Sequence, residues 1–267
     1  AYITSRNDDG LEIIDISNPT RPVHVGAIFD DASRALDGAF DVFVAGNYAY
    51  VVSNVDNGLE IINISNPAAP THVGALFDNA SIKLAGAQGV HVIGNYAYVV
   101  SKTENALAVI NISNPSAPVQ VGSIVDDATT ELSSPESVIV SGNYAYVSGG
   151  SGVEIVNISN PASPTHVGKL SDASTSNAIE LFSGGGMYLV GNYLYATGET
   201  DDGLEIINIS NPAAPTHVGA ITDTASTALD GAFGVAISSG YAYVLSKNEG
   251  FEVIDVSNPA TPIHRKA

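Results

Sequence analysis

Five histidines, His24, His72, His166, His217 and His264, each stand twelve residues after a glutamate: Glu12, Glu60, Glu154, Glu205 and Glu252. Imidazole and carboxylate bind metals and move protons, so a pairing met five times is the first place to look for chemistry. The pairs occupy one position of an internal repeat, however. They are therefore spread over separate repeats and cannot converge on one metal ion. In the third repeat both partners change together, to Ala108 and Gln120. That joint change points to a direct Glu–His contact of a structural kind. His91 is different. Its counterparts are Phe43, Ile139, Tyr188 and Ala236, and a lone His there reads as a hydrogen-bonded core residue. No Gly-x-Ser-x-Gly elbow supports a serine nucleophile beside it.

Carboxylates are the larger resource: 28 Asp and Glu face nine Lys and Arg, a formal net charge of −19. Such an excess excludes a nucleic-acid partner, which needs a basic surface, and disfavours an anionic membrane surface. The absence of cysteine removes disulfides, zinc thiolates, iron–sulfur clusters and thiol nucleophiles. No apolar run approaches the ~18 residues that span a bilayer. The chain opens Ala1-Tyr2-Ile3-Thr4 and reads as a mature or excised piece.

The elements that must position these groups come from repetition. Ser-Asn-Pro-x-x-Pro begins at Ser17, Ser65, Ser113, Ser159, Ser210 and Ser257, and Gly-Asn-Tyr-Ala-Tyr at Gly46, Gly94 and Gly142, with variants at Gly191 and Ser239. Six units of about 48 residues fill the chain as a single domain. Each reads as four short strands, here labelled a to d: in one unit Val90–Ile93, Tyr96–Val100, Leu107–Ile112 and Val119–Val125. Their nearly continuous apolar character predicts burial on both faces, with Pro and Gly confined to strand boundaries. Four-stranded units repeating at this period predict an all-β fold, a six-bladed β-propeller of antiparallel blades. The chain is short of six full periods. The stretch missing matches Leu76–Tyr96, so either a natural end has been lost or one blade lacks its strand a.

In that arrangement the d–a and b–c loops share one face, and 21 of the 28 acids fall there. A one-signed face gathers cations or basic ligands. Candidate calcium ligands are Asp30, Asp31, Asp126, Asp127, Asp201 and Asp202, although no Asp-x-Asp-x-Asp-Gly loop occurs. Candidate ligand-binding residues at the strand-a end are Phe40, Asp41, Gln88, His91, Glu136, Tyr188 and Phe233, with Phe43 and Phe182 as further aromatics. One Asp opens each complete d–a loop: Asp30, Asp78, Asp126, Asp172 and Asp223. It reads as an Asx-turn or cap of a short helical turn, with a following Leu (Leu36, Leu84, Leu132, Leu229) plugging the blade end. The Asn-Ile-Ser sequons at Asn63, Asn111, Asn157 and Asn208 read as turn residues.

Gly-Leu-Glu-Ile-Ile-Asp-Ile-Ser-Asn-Pro at 10–19, with relatives at 58–67, 152–161 and 203–212, resembles the LVIVD repeat. The resemblance covers essentially the whole chain. It implies a propeller fold and an extracytoplasmic setting, secreted or on the cell surface, and carries no catalytic residues onto this sequence. The expected function is a binding module whose acidic loop face contacts a cation such as Ca²⁺ or a surface partner. The alternative is a carboxylate-dependent hydrolase or lyase at the strand-a pocket.

Overall fold

A computed structural model describes residues 1–150, 152–171 and 184–265. Six antiparallel sheets, one of three strands and five of four, form the blades of a β-propeller. The chain divides into two compact units, Ala1–Ile124 with Asn160–Ser163, and Val125–Ser159 with Pro164–Ala267.

The first unit holds three blades. Blade 1 is β1 (Tyr2–Ser5), β2 (Gly10–Asp15) and β3 (Val23–Phe29), lacking strand a as the repeat arithmetic predicts. Blade 2 is β4 (Ala39–Ala45), β5 (Tyr48–Ser53), β6 (Gly58–Asn63) and β7 (Thr71–Phe77). Blade 3 is β8 (Ala87–Ile93), β9 (Tyr96–Ser101), β10 (Ala106–Asn111) and β11 (Val119–Val125).

The second unit repeats the plan. Blade 4 is β12 (Pro135–Ser141), β13 (Tyr144–Gly149), β14 (Gly152–Asn157) and β15 (Thr165–Ser171). Blade 5 is β16 (Gly184–Val190), β17 (Tyr193–Gly198), β18 (Gly203–Asn208) and β19 (Thr216–Thr222). Blade 6 is β20 (Ala232–Ser238), β21 (Tyr241–Ser246), β22 (Gly250–Asp255) and a short β23 (Ile263–Arg265).

Strands b and c of blades 2 to 5 are buried at nearly every residue, and within each unit neighbouring blades stack face to face. Tyr50, Leu59 and Ile61 of blade 2 pack with Leu84, Val90, Val99 and Ile110 of blade 3. In the second unit Leu204 and Ile206 pack in the same way against Leu229, Ala242, Val244 and Ile254. Leu36, Leu84, Leu132 and Leu229 are fully buried, as the plug reading requires. Each large side chain so buried contributes about 1.5–3 kcal/mol.

Glycine is not confined to strand boundaries. Gly26, Gly74, Gly168 and Gly219 lie inside the d strands, next to a register shift at which strand c skips one residue of strand d. The reason is close approach. A Cβ added to Gly74 would sit 2.5 Å from the carbonyl oxygen of Pro115, in the Ser-Asn-Pro turn of the next blade. The same clash, at 2.4 Å from Pro67 and from Pro212, faces Gly26 and Gly168. The turn of one blade thus seats on bare backbone of the blade before it.

Replacing Gly74 by Ala should cost about 3 kcal/mol, since backbone must move to admit the methyl. Gly94→Ala should cost only about 1 kcal/mol, because Gly94 has open space around it and only its φ of +57° resists a side chain. Urea unfolding of the two variants checks the order, and equal costs would show that the turn is not seated this tightly.

Candidate functional site

The d–a loops owe their shape to buried carboxylates on strand c. Glu60 is fully buried on β6. Its Oε1 lies 2.5 Å from His72 Nδ1, and its Oε2 accepts the backbone N–H of Ala35 at 3.1 Å. Glu154 repeats this with His166 at 2.5 Å and the N–H of Glu131 at 2.9 Å. Glu252 does so with His264 and the N–H of Ala228, and Glu205 pairs with His217 at 2.6 Å. The expected Glu–His contact is therefore present, and it lies within a blade. Burial pushes the Glu60 and Glu154 carboxyls up, against the histidine and loop hydrogen bonds that pull them down. A serine on strand b holds the other side of the same loop residue: Ser53 Oγ donates to the Ala35 carbonyl at 2.6 Å, and Ser246 Oγ to that of Ala228 at 2.7 Å.

Blade 3 explains the joint change. Gln120, in the histidine's place, accepts the N–H of Lys83 through its own Oε1 at 2.8 Å. Lys83 is the counterpart of Ala35, so the loop keeps its acceptor without glutamate or histidine. Blade 1 shows the converse. Among the described residues no d–a loop covers Glu12, which pairs with His24 through Nε2 at 2.8 Å, the two side chains being 31% and 61% exposed.

The acids of the loops follow the same logic. Asp30, Asp78, Asp126 and Asp223 accept, through Oδ1, the N–H of Leu36, Leu84, Leu132 and Leu229 at 2.9–3.1 Å. This closes the loop over six residues around one short turn, as where the Arg34 N–H reaches the Asp31 carbonyl at 3.0 Å; the sequence suggested an Asx-turn or the cap of a short helical turn. The Asx-turn belongs to the following residue: Asp31 accepts from Ser33 and Asp127 from Thr129, and these hydrogen bonds lower both carboxyls. Asp202, with φ +54°, accepts the Gly231 N–H at 2.7 Å, and Asp9 that of Gly38 at 3.0 Å. Asp201 lies half-buried beside Asp202. Among the described residues no group of three or more His, Asp or Glu side chains is arranged to hold a metal ion. Asp172, Glu180 and Phe182 lie outside the described residues. The sequons fold as read: Asn63, Asn111, Asn157 and Asn208 each accept the N–H of the serine two residues on at 2.9 Å.

The a strands begin three residues earlier than the sequence indicated, because each opens with a register shift. The extra residue is Phe40, Gln88, Glu136 or Phe233, so four of the ligand-binding candidates are one structural position, a bulge that turns a side chain out of the ladder. Phe40 and Phe233 are about 40% exposed there, and Arg6 lies over the Phe40 ring at 5.8 Å. In the first unit Asp41 and His91 come close through their neighbours. Asp41 accepts the N–H of Val42 at 2.8 Å and that of Val90, on the next blade, at 2.9 Å. His91 packs on Phe43 with ring centroids 4.5 Å apart. Burial raises the Asp41 carboxyl, against its two backbone hydrogen bonds, and burial lowers His91. Glu136, Tyr188 and Phe233 belong to the second unit, where Tyr188 is exposed on β16.

One grouping was not singled out by the sequence. Asp9 and Asp56 on b–c loops meet Asp30 and Asp37 on the d–a loop between blades 1 and 2. Asp37 donates its N–H to Asp56 Oδ2 at 2.9 Å. Burial, then the charges of Asp9 and Asp30, raise the Asp37 carboxyl. Burial likewise raises Asp56, with Asp30 and Asp37 adding to it. Spacing along the chain hides this cluster, because its members come from three separate loops.

Comparison with known proteins follows from this geometry. The LVIVD repeat matches residues 1–30, 38–77, 86–126, 134–172, 186–223 and 231–265. No curated protein matches the chain. Among solved structures, a protein from Lactobacillus plantarum superposes with a TM-score of 0.79 at 13% identity, covering 99% of this chain and 80% of that one. A functionally unknown protein from Desulfotomaculum acetoxidans gives 0.73 at 11% identity, covering 99% and 78%. A periplasmic gluconolactonase from Pseudomonas aeruginosa gives 0.69 at 10% identity, covering 99% and 84%. At these identities the likeness is one of fold.

The Glu–His pair has a built-in test. Glu60→Ala alone should cost about 2–3 kcal/mol by leaving the Ala35 N–H buried and unpaired. Adding His72→Gln recreates the blade 3 arrangement and should recover most of that loss. A double-mutant cycle by urea unfolding measures it, and strictly additive costs would refute the shared acceptor role.

Proposed function

This chain belongs to the LVIVD repeat family, and we propose that within it the protein is a binding module, displayed outside the cytoplasm, whose acidic loop ends receive a cationic partner. The observation that carries the reading is the crowding of Asp9, Asp30, Asp37 and Asp56. Burial, with the negative charge of these neighbours added to it, raises the Asp37 and Asp56 carboxyls, and a bound cation or basic side chain would offset the repulsion. Three of the loop basic residues have other partners. Arg34, Lys83 and Lys247 are engaged by Asp31, Glu104 and Glu199 at 3.2, 3.0 and 2.5 Å. Loops anchored by Glu60 and Ser53 offer this charge on a rigid base, which limits the ordering cost of binding. Ca²⁺ is one cation of suitable hardness for such oxygens, and a lysine-rich surface is the other class. The hydrolase or lyase reading lacks comparable support, because Asp41 accepts two backbone N–H groups and His91 is packed on Phe43.

Thermal melting with millimolar Ca²⁺, and separately with an oligolysine peptide at low salt, tests the proposal. A rise in Tm with either, lost in Asp37→Asn/Asp56→Asn and weakened by added salt, is expected. No shift with either ligand would overturn it. The pH dependence carries its own sign. A carboxyl raised in the folded state binds more protons there than when unfolded, so stability falls as pH rises from the unfolded value through the raised one. The double Asn variant should lose that component, and its stability should decline less than the parent's as pH rises above the ordinary Asp value of about 4.

A further inference from the structure

Large apolar side chains stand in the open among the acids of blades 1 and 2. Phe29, Val55 and Phe77 are 45%, 53% and 41% exposed. Phe29 and Phe77 end the d strands of the two blades, and Val55 lies in the b–c loop of blade 2. All three belong to the first unit. The loops tie them to the carboxylates. Phe29 faces Gly10 in the ladder, and the N–H of the next residue, Asp30, reaches the Asp9 carbonyl at 2.7 Å. Val55 lies against Gly38, where an added Cβ would be 2.6 Å from its Cγ2, and Gly38 donates its N–H to Asp9. Asp56, beside Val55, donates its N–H to the Asp37 carbonyl and accepts the Asp37 N–H in return. Phe77 faces Gly58, and the next residue, Asp78, donates its N–H to the Asn57 carbonyl at 2.8 Å.

The fold does not ask for these side chains. At the place of Phe77 blades 4 and 5 carry Ser171 and Thr222, and at that of Val55 blade 3 carries Thr103. A polar residue therefore meets the geometry of both positions. Apolar residues exposed singly are ordinary on a protein surface, but three held within one set of hydrogen-bonded loops mark a surface for contact. Their surroundings are negative, and the nearby Arg34 is already held by Asp31 and by the Phe29 carbonyl. Apolar contact area set among charged groups is the make-up of a protein interface.

We infer that the loop end of blades 1 and 2 docks a basic amphipathic segment of a partner protein, a chain in which apolar side chains alternate with lysines or arginines. The inference rests on the binding proposal above and narrows it. A metal ion has no use for Phe29, Val55 and Phe77, whereas a peptide can cover them while its cationic groups reach Asp37, Asp56 and Asp78. The long stems of lysine and arginine add to the apolar contact and keep their charges at the carboxylates. Charge then steers the encounter and sets its salt dependence, and the apolar contacts hold the complex in salt that screens the charges.

The probes are a peptide of repeated Leu-Lys-Lys units and the same peptide with serine for every leucine, titrated calorimetrically into the intact chain at low salt. The two carry equal charge. The leucine peptide should bind about tenfold more tightly, keep part of its affinity in added salt, and shift the NMR signals of Phe29, Val55 and Phe77. In Val55→Ser/Phe77→Ser that advantage should vanish while the serine peptide binds as before. The substitutions follow the polar residues that other blades carry at these places, and circular dichroism checks that the variant folds. Equal affinity of the two peptides for the parent would overturn the inference and leave the acidic binding surface standing. Binding of neither would overturn it too, and would remove the lysine-rich partner from the binding proposal. A leucine advantage that survives the double substitution, or shifts confined to other residues, would also overturn the inference.

Discussion

The loop ends depend on a buried acceptor for one backbone N–H, which in three of the described loops is a carboxylate. Glu60, Glu154 and Glu252 each give one oxygen to a histidine on the outer strand and the other to a loop N–H. A charge taken out of water is costly unless every lone pair finds a donor, and here the donors come from two different elements. The interaction therefore ties the loop to the sheet through directional contacts that the buried leucine alone does not supply. Blade 3 shows which part matters. Gln120 provides an acceptor for Lys83 without a charge, so the fold requires an acceptor for that N–H and tolerates the loss of the ion pair.

The same loop sets where strand a begins. Once its Ala35-type residue is pinned and its leucine buried, the chain enters the sheet through a bulge that turns Phe40, Gln88, Glu136 or Phe233 outward. At the outer edge, seating of the Ser-Asn-Pro turn on a side-chain-free stretch of the preceding d strand fixes blade spacing. Between the two, the stacked b and c strands need only be apolar. Three contacts per repeat, two polar and one steric, thus determine the geometry, and the rest of each blade follows from β-propensity.

Much of this was legible in the sequence. The period, the strand order, the three-stranded first blade and the Glu–His pairing all follow from residues recurring at fixed spacing, because each repeat meets the same environment. What stayed hidden depends on contacts between repeats. Gly74 looks like a misplaced strand glycine until Pro115 is seen against it. Gln120 looks like an unrelated change until its reach to Lys83 is known. The Asp9, Asp30, Asp37 and Asp56 grouping has no signature, since three loops supply it. The a strands were placed too short because a bulge breaks the alternation by which strand ends are read.

The acid excess itself can now be divided. At the b–c turn, Asp9 and Asp202 do what Asn57 does, accepting a glycine N–H from a left-handed backbone. At the Asx-turn, Asp31 and Asp127 do what Asn79 does, and Thr224 serves there with a hydroxyl. At the end of strand c, Asp15 and Asp255 stand where Asn63 and Asn208 serve equally. At all three positions the structure needs a short acceptor, not a charge. Only the loop-closing Asp30, Asp78, Asp126 and Asp223 are carboxylates in every described copy. A fold that could be built with Asn at so many turns carries Asp at several of them and crowds Asp37 against Asp56, although burial and mutual repulsion raise both carboxyls. Turn geometry therefore leaves the charge of Asp37 unexplained, and it is this surplus, beside Asp9 and Asp30, that the binding proposal accounts for.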